Sequence, residues 1–234
     1  KISSKGEYRP DASALAAIRY WTGHSEYRHD ETVLATTGFQ EITATFKNRQ
    51  TEGKLEFELA PFATPFGALT SILGTQGAYQ KLDTAGQAIL LPAQTRTAAA
   101  YFLNEVRHTD TLRTQLAGRI EAVDVAGTAF TFPPSFLPPP DQPSSAAAKL
   151  DFLPKSISFG VLQDLPYSLV GRLTLQRIER APRALELFAQ GPDGSEKTFK
   201  IGNANLGIET AQTAEIGLKR TDGDFRFAAN AYYT

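Results

Sequence analysis

Cysteine does not occur in this 234-residue chain, and neither does methionine. The first absence excludes a disulfide framework and cysteine chemistry. The second extends to position 1, where Lys1 stands; translation starts with Met, so Lys1 is expected to lie inside a longer chain or to follow processing. Charge of one sign is not in excess: 24 Lys and Arg face 25 Asp and Glu, a net −1. Without a broad basic field there is little to attract nucleic acid, and no nucleic-acid partner is expected. No run approaches the roughly 18 uncharged apolar residues of a spanning helix. No cationic-then-apolar signal peptide opens the chain, and helical periodicity is scarce throughout. One class of membrane protein survives these exclusions. A spanning strand needs only about ten residues with every second one apolar, so hydropathy averages miss it. The mean hydropathy of −0.26 suits a water-soluble protein and a membrane barrel equally.

Period-2 alternation is what the chain has in abundance. Strands are expected near 1–9, 13–27, 41–60, 66–78, 97–107, 111–123, 155–163 and 168–179, and a closing hairpin brings the count to about ten. In the third, Leu55, Phe57 and Leu59 alternate with Lys54, Glu56 and Glu58. In the sixth, Leu112, Leu116 and Ile120 oppose Arg113, Gln115, Arg119 and Glu121. Ile157, Phe159 and Val161, then Leu169, Leu173 and Leu175, repeat the pattern. Connections near 10–12, 61–65, 108–110, 164–166 and 221–224 are short; those near 28–40, 79–96, 124–153 and 180–207 are long. Short and long alternate strictly, which places all long loops at one end of an up-and-down sheet. The Pro-rich stretch at 131–148 reads either as an interdomain linker or as a long, poorly ordered external loop. The unchanged strand pattern on both sides favours the loop.

Alternation alone suits a soluble sandwich as well as a barrel. Three features favour the barrel. The apolar faces carry many small residues (Ala14, Ala17, Gly118, Ala122, Gly171, Ala229 and Ala231), which would fill a sandwich core poorly. The polar faces are long and of mixed charge. Aromatics gather near strand ends (Tyr20, Trp21 and Tyr27; Phe66 and Tyr79; Tyr167; Tyr232 and Tyr233), as in an interfacial girdle. The expected fold is all-β, an antiparallel up-and-down transmembrane β-barrel, present as a partial barrel. The competing class is a soluble all-β sandwich binding module with long ligand-binding loops.

One stretch goes further. Residues 177–220 carry, in order, Arg180-Ala181-Pro182, then Glu186, Leu187, Phe188 and Gly191. Phe199, Ile201, Gly202, Asn203 and Leu206 follow, and then Glu209, Ala211, Glu215 and Gly217. This ordered set resembles the barrel segment of TonB-dependent outer-membrane receptors, and 46–62 and 27–31 are similar to other barrel strands of that family. The resemblance implies an outer-membrane receptor that imports a scarce ligand such as a metal chelate or siderophore. It also implies energy from the TonB complex through a plug domain, lipid around the wall, and no enzymatic activity. No plug or TonB-box peptide is visible. The family barrel has roughly 22 strands, so residues 1–234 are expected to be one partial barrel domain, an internal piece.

Chemistry-bearing motifs are few. His24, His29, Asp30 and Glu31, with Glu26 nearby, offer imidazole and carboxylate of the kind that binds divalent transition metals; His24 and His29 share a face only if a loop begins between them. The alternative is a polar external loop. His108 sits in a short turn beside Asp110. No nucleophile elbow, P-loop or dinucleotide fingerprint occurs, and no cofactor is expected. Acidic pairs such as Glu56/Glu58 and Asp222/Asp224 read as solvated faces or turn formers. Residues 180–191 are expected to form a short helix burying Leu185, Leu187 and Phe188, either a lid over the barrel mouth that contacts ligand or plug, or a structural loop.

Overall fold

The computed structural model describes residues 1–11, 14–34, 40–131, 144–193 and 196–234. The strands are β1 (Ile2–Tyr8), β2 (Leu15–Leu34), β3 (Gln40–Leu59), β4 (Phe62–Thr64), β5 (Gly67–Gly86), β6 (Ala93–Arg107) and β7 (Leu112–Thr131). They continue with β8 (Ser144–Phe152), β9 (Lys155–Leu165), β10 (Leu169–Arg180), β11 (Gln190–Asp193), β12 (Thr198–Ile201), β13 (Glu209–Arg220) and β14 (Phe227–Tyr233). Among the described residues a single short helix, α1, spans Ala184–Phe188. Twelve strands form one antiparallel sheet in the order β1-β2-β3-β5-β6-β7-β9-β10-β13-β14, with β1 and β14 at its edges. β4 prolongs β3 beyond Pro61, and β8 prolongs β9 on the same flank of β7, so the sheet has ten strand positions. β11 and β12 pair as a separate hairpin.

The register fixes which side chains share a face, because residues paired across strands project together. One row runs Ile18–Phe57–Leu73–Phe102–Gly118–Ile157, and the row above it runs Tyr20–Leu55–Thr75–Ala100–Ile120. No second large sheet covers this face among the described residues. Ile157, Phe159 and Ile216 stay 55%, 42% and 63% exposed. The opposite face, carrying Arg19, Glu56, Tyr101 and Arg119, is the more enclosed one. An apolar surface left bare while the charges lie inside is the inverse of a soluble sandwich, and it is what a lipid-facing wall requires.

Higher on the sheet the alternation changes phase. In β7 the even residues Leu112 to Ala122 point outward, but above them the odd residues Val123 and Val125 point inward and are buried. The same inversion sets Phe46 and Ala44 against Leu55 and Phe57 in β3, and Leu82 against Leu69 and Leu73 in β5. The outward side of these upper segments bears Arg28, Lys47, Arg49, Lys81 and Arg96 instead. The frontier where outward residues turn charged also climbs across the sheet. It stands at Arg177 in β10, level with Ile18 of β2 in the register, yet in β2 it is reached near Arg28. Ten residues gained over six neighbours, at ~3.3 Å per residue and ~4.8 Å per strand, correspond to a slant of roughly 45°; barrel strands tilt by about that much.

The strands outrun the expectation at their upper ends. Most of the stretches read as long loops at 28–40, 79–96 and 124–153 are strand: β2 continues to Leu34, β5 to Gly86 and β7 to Thr131, and Ser144–Phe152 forms β8. Residues 132–143 of the Pro-rich loop lie outside the described residues. A 20-residue strand is ~66 Å long at ~3.3 Å per residue, about twice what a tilted strand needs to span lipid. The upper halves therefore stand clear of the apolar band and are wetted on the side that lipid covers below. Two further expectations are corrected. A bulge between Leu15 and Ala17 turns Ala17 inward, where it is 1% exposed. Trp21, Tyr27 and Tyr232 fall on the inner parity, so the lower outward girdle rests on Tyr8, Phe62 and the turn residues Phe66, Tyr167 and Phe225, all strongly exposed.

Candidate inner-wall site

Charge on the lower inner wall is matched neighbour to neighbour. Glu7 of β1 accepts from Arg19 Nε at 2.6 Å, and Arg19 also reaches Glu58 at 2.5 Å. Glu56 takes Lys54 Nζ at 3.1 Å and the Tyr101 hydroxyl at 2.8 Å. Tyr101 and Glu56 belong to β6 and β3, with Gly74 of β5 directly between them in the register. The tyrosine ring lies across that glycine: a Cβ at position 74 would stand 2.1 Å from the ring. Arg119 sits 5.9 Å over the Tyr101 ring, binds Glu121 at 2.7 Å and donates to Gln76 at 3.2 Å. Farther along, Gln115 donates to Glu105, Arg113 to Asp164, and Arg172 pairs with Glu215. Glu56, read as a solvated face, is thus one node of a partnered row. Pairs of this kind contribute little to stability individually. Their effect is on the lumen, which meets a wall of donors and acceptors already engaged with one another.

The upper inner wall is apolar and covered. Leu82, Val123, Val125, Leu150 and Phe152 form its surface, and the segment after β10 folds back onto it through Ala181, Ala184, Leu187, Phe188 and Ala204. This strap carries α1, which buries Leu187 and Phe188, each 1% exposed, whereas Leu185 is 41% exposed and does not join them. Phe188 lies against Gly127 of β7, where an added Cβ would stand 2.5 Å from the ring. The strap's far end is tied to the loop between β5 and β6: Gln190 N donates to Ile89 O at 2.7 Å and Gln190 Nε2 to Ala88 O at 3.1 Å. That loop packs Ala88 against Ala44 and Phe46. The strap spans the inner face from β10 back to β5. Beneath it lies an open cavity of about 460 Å³ whose lining includes Thr95, Thr97, Glu121, Arg180 and Arg183.

Arg180, the last residue of β10, holds the strap's base. Its guanidinium donates to both oxygens of Glu186 at 2.9 Å each, and to Glu209 at the start of β13. Glu186 also reaches back to the Arg183 N–H at 2.7 Å, so it caps α1 as the third helical residue does in a capping box. The Arg180 guanidinium, helped by that N–H, pulls the Glu186 carboxyl down to about 2 from 4.5. A carboxyl depressed on folding stabilises the folded state above its unfolded pKa, and that contribution is lost as pH falls through the folded value. The strap is therefore expected to hold above pH 4.5 and to loosen between there and pH 2. Hydrogen-exchange protection of α1, corrected for intrinsic rates, checks this; Glu186→Gln should flatten the dependence across that window.

The histidine region divides between the faces. β2 runs unbroken to Leu34, so no loop begins between His24 and His29. His24 and Asp30 fall on the outward parity, His29 and Glu31 on the inward one. His24 Nδ1 shares a hydrogen bond with Thr51 Oγ1 at 2.8 Å, and its Nε2 stands 3.9 Å from Glu26 Oε1. His29 stacks on Phe46 with ring centroids 4.9 Å apart, and Asp30 accepts from Thr45 Oγ1 at 2.6 Å. Among the described residues no group of three or more His, Cys, Asp or Glu is placed to hold a metal ion. His108 closes the turn before β7 by bonding Phe66 O and Thr114 Oγ1.

The family model described as "TonB dependent receptor-like, beta-barrel" matches residues 3–234. Among curated proteins none matches. Solved structures of the same architecture include the copper transporter OprC, at TM-score 0.71 and 13% identity over 98% of this chain. The Serratia marcescens hemophore receptor HasR, solved with its hemophore HasA and heme, has TM-score 0.69 and 12% identity over 98%. The siderophore receptor PiuA from Acinetobacter baumannii has TM-score 0.65 and 12% identity over 98%. The chain spans only 37%, 38% and 39% of those three proteins respectively.

Proposed function

We propose, since the chain belongs to the TonB-dependent receptor-like β-barrel family, that it builds part of the wall of a receptor in the outer membrane, where this family of transporters resides. The receptor would import a scarce ligand of the metal-chelate or siderophore class. Energy would come from the TonB complex through a plug domain, and further strands would continue the sheet from β1 and β14. The observation that carries this reading is the inversion of faces: bare apolar side chains outward, a charge-matched polar wall inward. The ligand class is supported by the copper, heme and siderophore proteins of the same architecture. The matched charges of the lower wall suit a lumen through which cargo passes, since a wall with few unpaired ions holds a passing charged ligand weakly. No step of covalent chemistry enters the proposal.

The test uses the full-length protein. It is expected to be monodisperse only in detergent or lipid, and cells lacking it are expected to lose energy-dependent accumulation of one metal chelate. A full-length protein that stays monodisperse in plain buffer would refute the barrel reading; unimpaired accumulation of ferric siderophores, heme and copper would refute the ligand class.

A further inference from the structure

Where β10, β13 and β14 lie side by side near the short turns, the outward face is hollowed. An open groove of about 710 Å³ runs there, lined by Gly171, Ala229 and Ala231 together with Leu165, Leu173 and Ile216. Gly171, Leu218 and Ala229 share one row of the register, and Leu173, Ile216 and Ala231 share the next. An added Cβ at Gly171 would stand 3.6 Å from Leu165 Cδ1, so the leucine borders a place where a side chain is missing. Leu169, Arg220 and Phe227 form the row beneath, toward the turns. Arg220 is thus an outward cation at the end of the groove. Its row neighbours Leu169 and Phe227 lie two residues from the strongly exposed turn aromatics Tyr167 and Phe225. Among the described residues the Arg220 side chain has no hydrogen bond and no carboxylate at ion-pair distance, and its Nε is enclosed without a partner. The guanidinium lies over the turn at Gly223, where a Cβ would stand 3.0 Å from one of its nitrogens. The same turn holds two carboxylates, Asp222, which accepts from the Gly223 N–H at 2.8 Å, and Asp224. Of the other cations at this end, Lys219 falls on the inward parity and Arg226 donates to Gly223 O.

We infer that the groove and Arg220 together form a site for one aminophospholipid of the leaflet that meets the short turns. An acyl chain lies in the groove, the phosphate on Arg220, and the primary ammonium toward Asp222 and Asp224. The inference rests on the outward face being the lipid face. On that face a groove can be filled only by alkyl chains or by another protein's side chains, and an unfilled one forfeits the contacts of its lining. The end of the groove selects the alkyl chain. A guanidinium with unsatisfied donors, held between aromatic anchors at the hydrocarbon edge, is completed by phosphate oxygens. Charge then selects the headgroup. One cation beside two turn carboxylates repels a headgroup that is only negative, whereas phosphate plus ammonium meets both signs. A trimethylated ammonium lacks the N–H donors that carboxylates accept.

The experiment places the full-length receptor in phosphatidylcholine vesicles containing either phosphatidylethanolamine or phosphatidylglycerol. Lipid retained on the extracted receptor is counted by native mass spectrometry. Wild type is expected to retain phosphatidylethanolamine over both other lipids. Arg220→Gln is expected to bind it at least about tenfold more weakly, as for loss of a charge-assisted hydrogen bond. Ala229→Phe, which fills the groove and leaves every polar group in place, should lower retention as well. The Asp222→Asn/Asp224→Asn double variant should erase the preference for phosphatidylethanolamine over phosphatidylglycerol. Retention unchanged by Arg220→Gln or by Ala229→Phe overturns the inference, and so does a wild-type preference for phosphatidylglycerol. Displacement of the lipid by millimolar glycerophosphoethanolamine also overturns it, because that marks a site for the free headgroup alone. If Arg220→Gln unfolds earlier in phosphatidylcholine alone, Arg220→Lys decides: binding kept with the charge supports the site, and binding lost counts against it. Failure here with detergent dependence intact removes only the lipid site, whereas a receptor monodisperse in plain buffer removes the barrel reading itself.

Discussion

Arginine in place of Leu73 is expected to destabilise the receptor in a bilayer by about 2–4 kcal/mol, the cost of a cation on the lipid face near mid-depth. Arginine in place of Leu103 is expected to change stability by no more than ~0.5 kcal/mol, as for an exposed polar surface. Ordinary surface reasoning gives no such contrast, because Leu73 and Leu103 are 47% and 37% exposed. They differ in what touches them. Leu73 lies in the outward row with Phe57 and Phe102, while Leu103 shares the inner parity with Tyr101 and Glu105. Urea unfolding of both variants in phosphatidylcholine vesicles checks the assignment. A larger penalty at Leu103 than at Leu73 would reverse the two faces and with them the lipid-facing wall.

Phe188→Ala is expected to remove about 3–5 kcal/mol, the range for emptying a large buried aromatic site, and the loss should be local. Phe188 is 1% exposed, and its packing partners Leu90, Val123, Val125 and Leu187 join strap, wall and the β5–β6 loop. Without the ring the strap loses its anchor between the Arg180 clamp and the Gln190 bonds. The sheet does not depend on it, since β7, β9, β10 and β13 pair through their own backbones. Hydrogen exchange should therefore rise across residues 184–190 and 87–92 and stay unchanged in the paired strands. Uniform deprotection of the whole chain would show that the strap is part of the sheet's own cooperative unit.

Wherever one face meets lipid and the other water, the fold was legible from residues alone. Leu55 against Glu56, or Leu116 against Gln115, is enough to set a strand and its two sides. The reading faltered above the band, and the reason is physical. There the outward side is wetted and the inward side is dried by the strap, so polarity changes sides between Ala122 and Val123 with no break in the strand. A scan that follows one parity sees the pattern stop at that point and ends the strand too early. β8 was hidden for a related cause: its outward residues are Ser145, Ala147, Lys149 and Asp151, with no apolar stripe on that side at all. The strap's helix was visible in Leu187 and Phe188, but the misplacement of Leu185 shows that five helical residues are too few for spacing to fix a buried face. Tyr101 and Glu56 could not have been matched from the sequence. They are 45 positions apart and meet only because the register sets Gly74 between them.

The bond from Gln190 to Ala88 closes a separation of 102 residues, while the wall around it grows by hairpins between successive strands. Closing a long loop is entropically costly until intervening contacts have shortened the path. Here the path is shortened only when β6, β7, β9 and β10 already stand side by side. Assembly of the molecule thus has a direction in time: the wall zips first, and the crosspiece latches afterwards onto a surface that the wall alone provides.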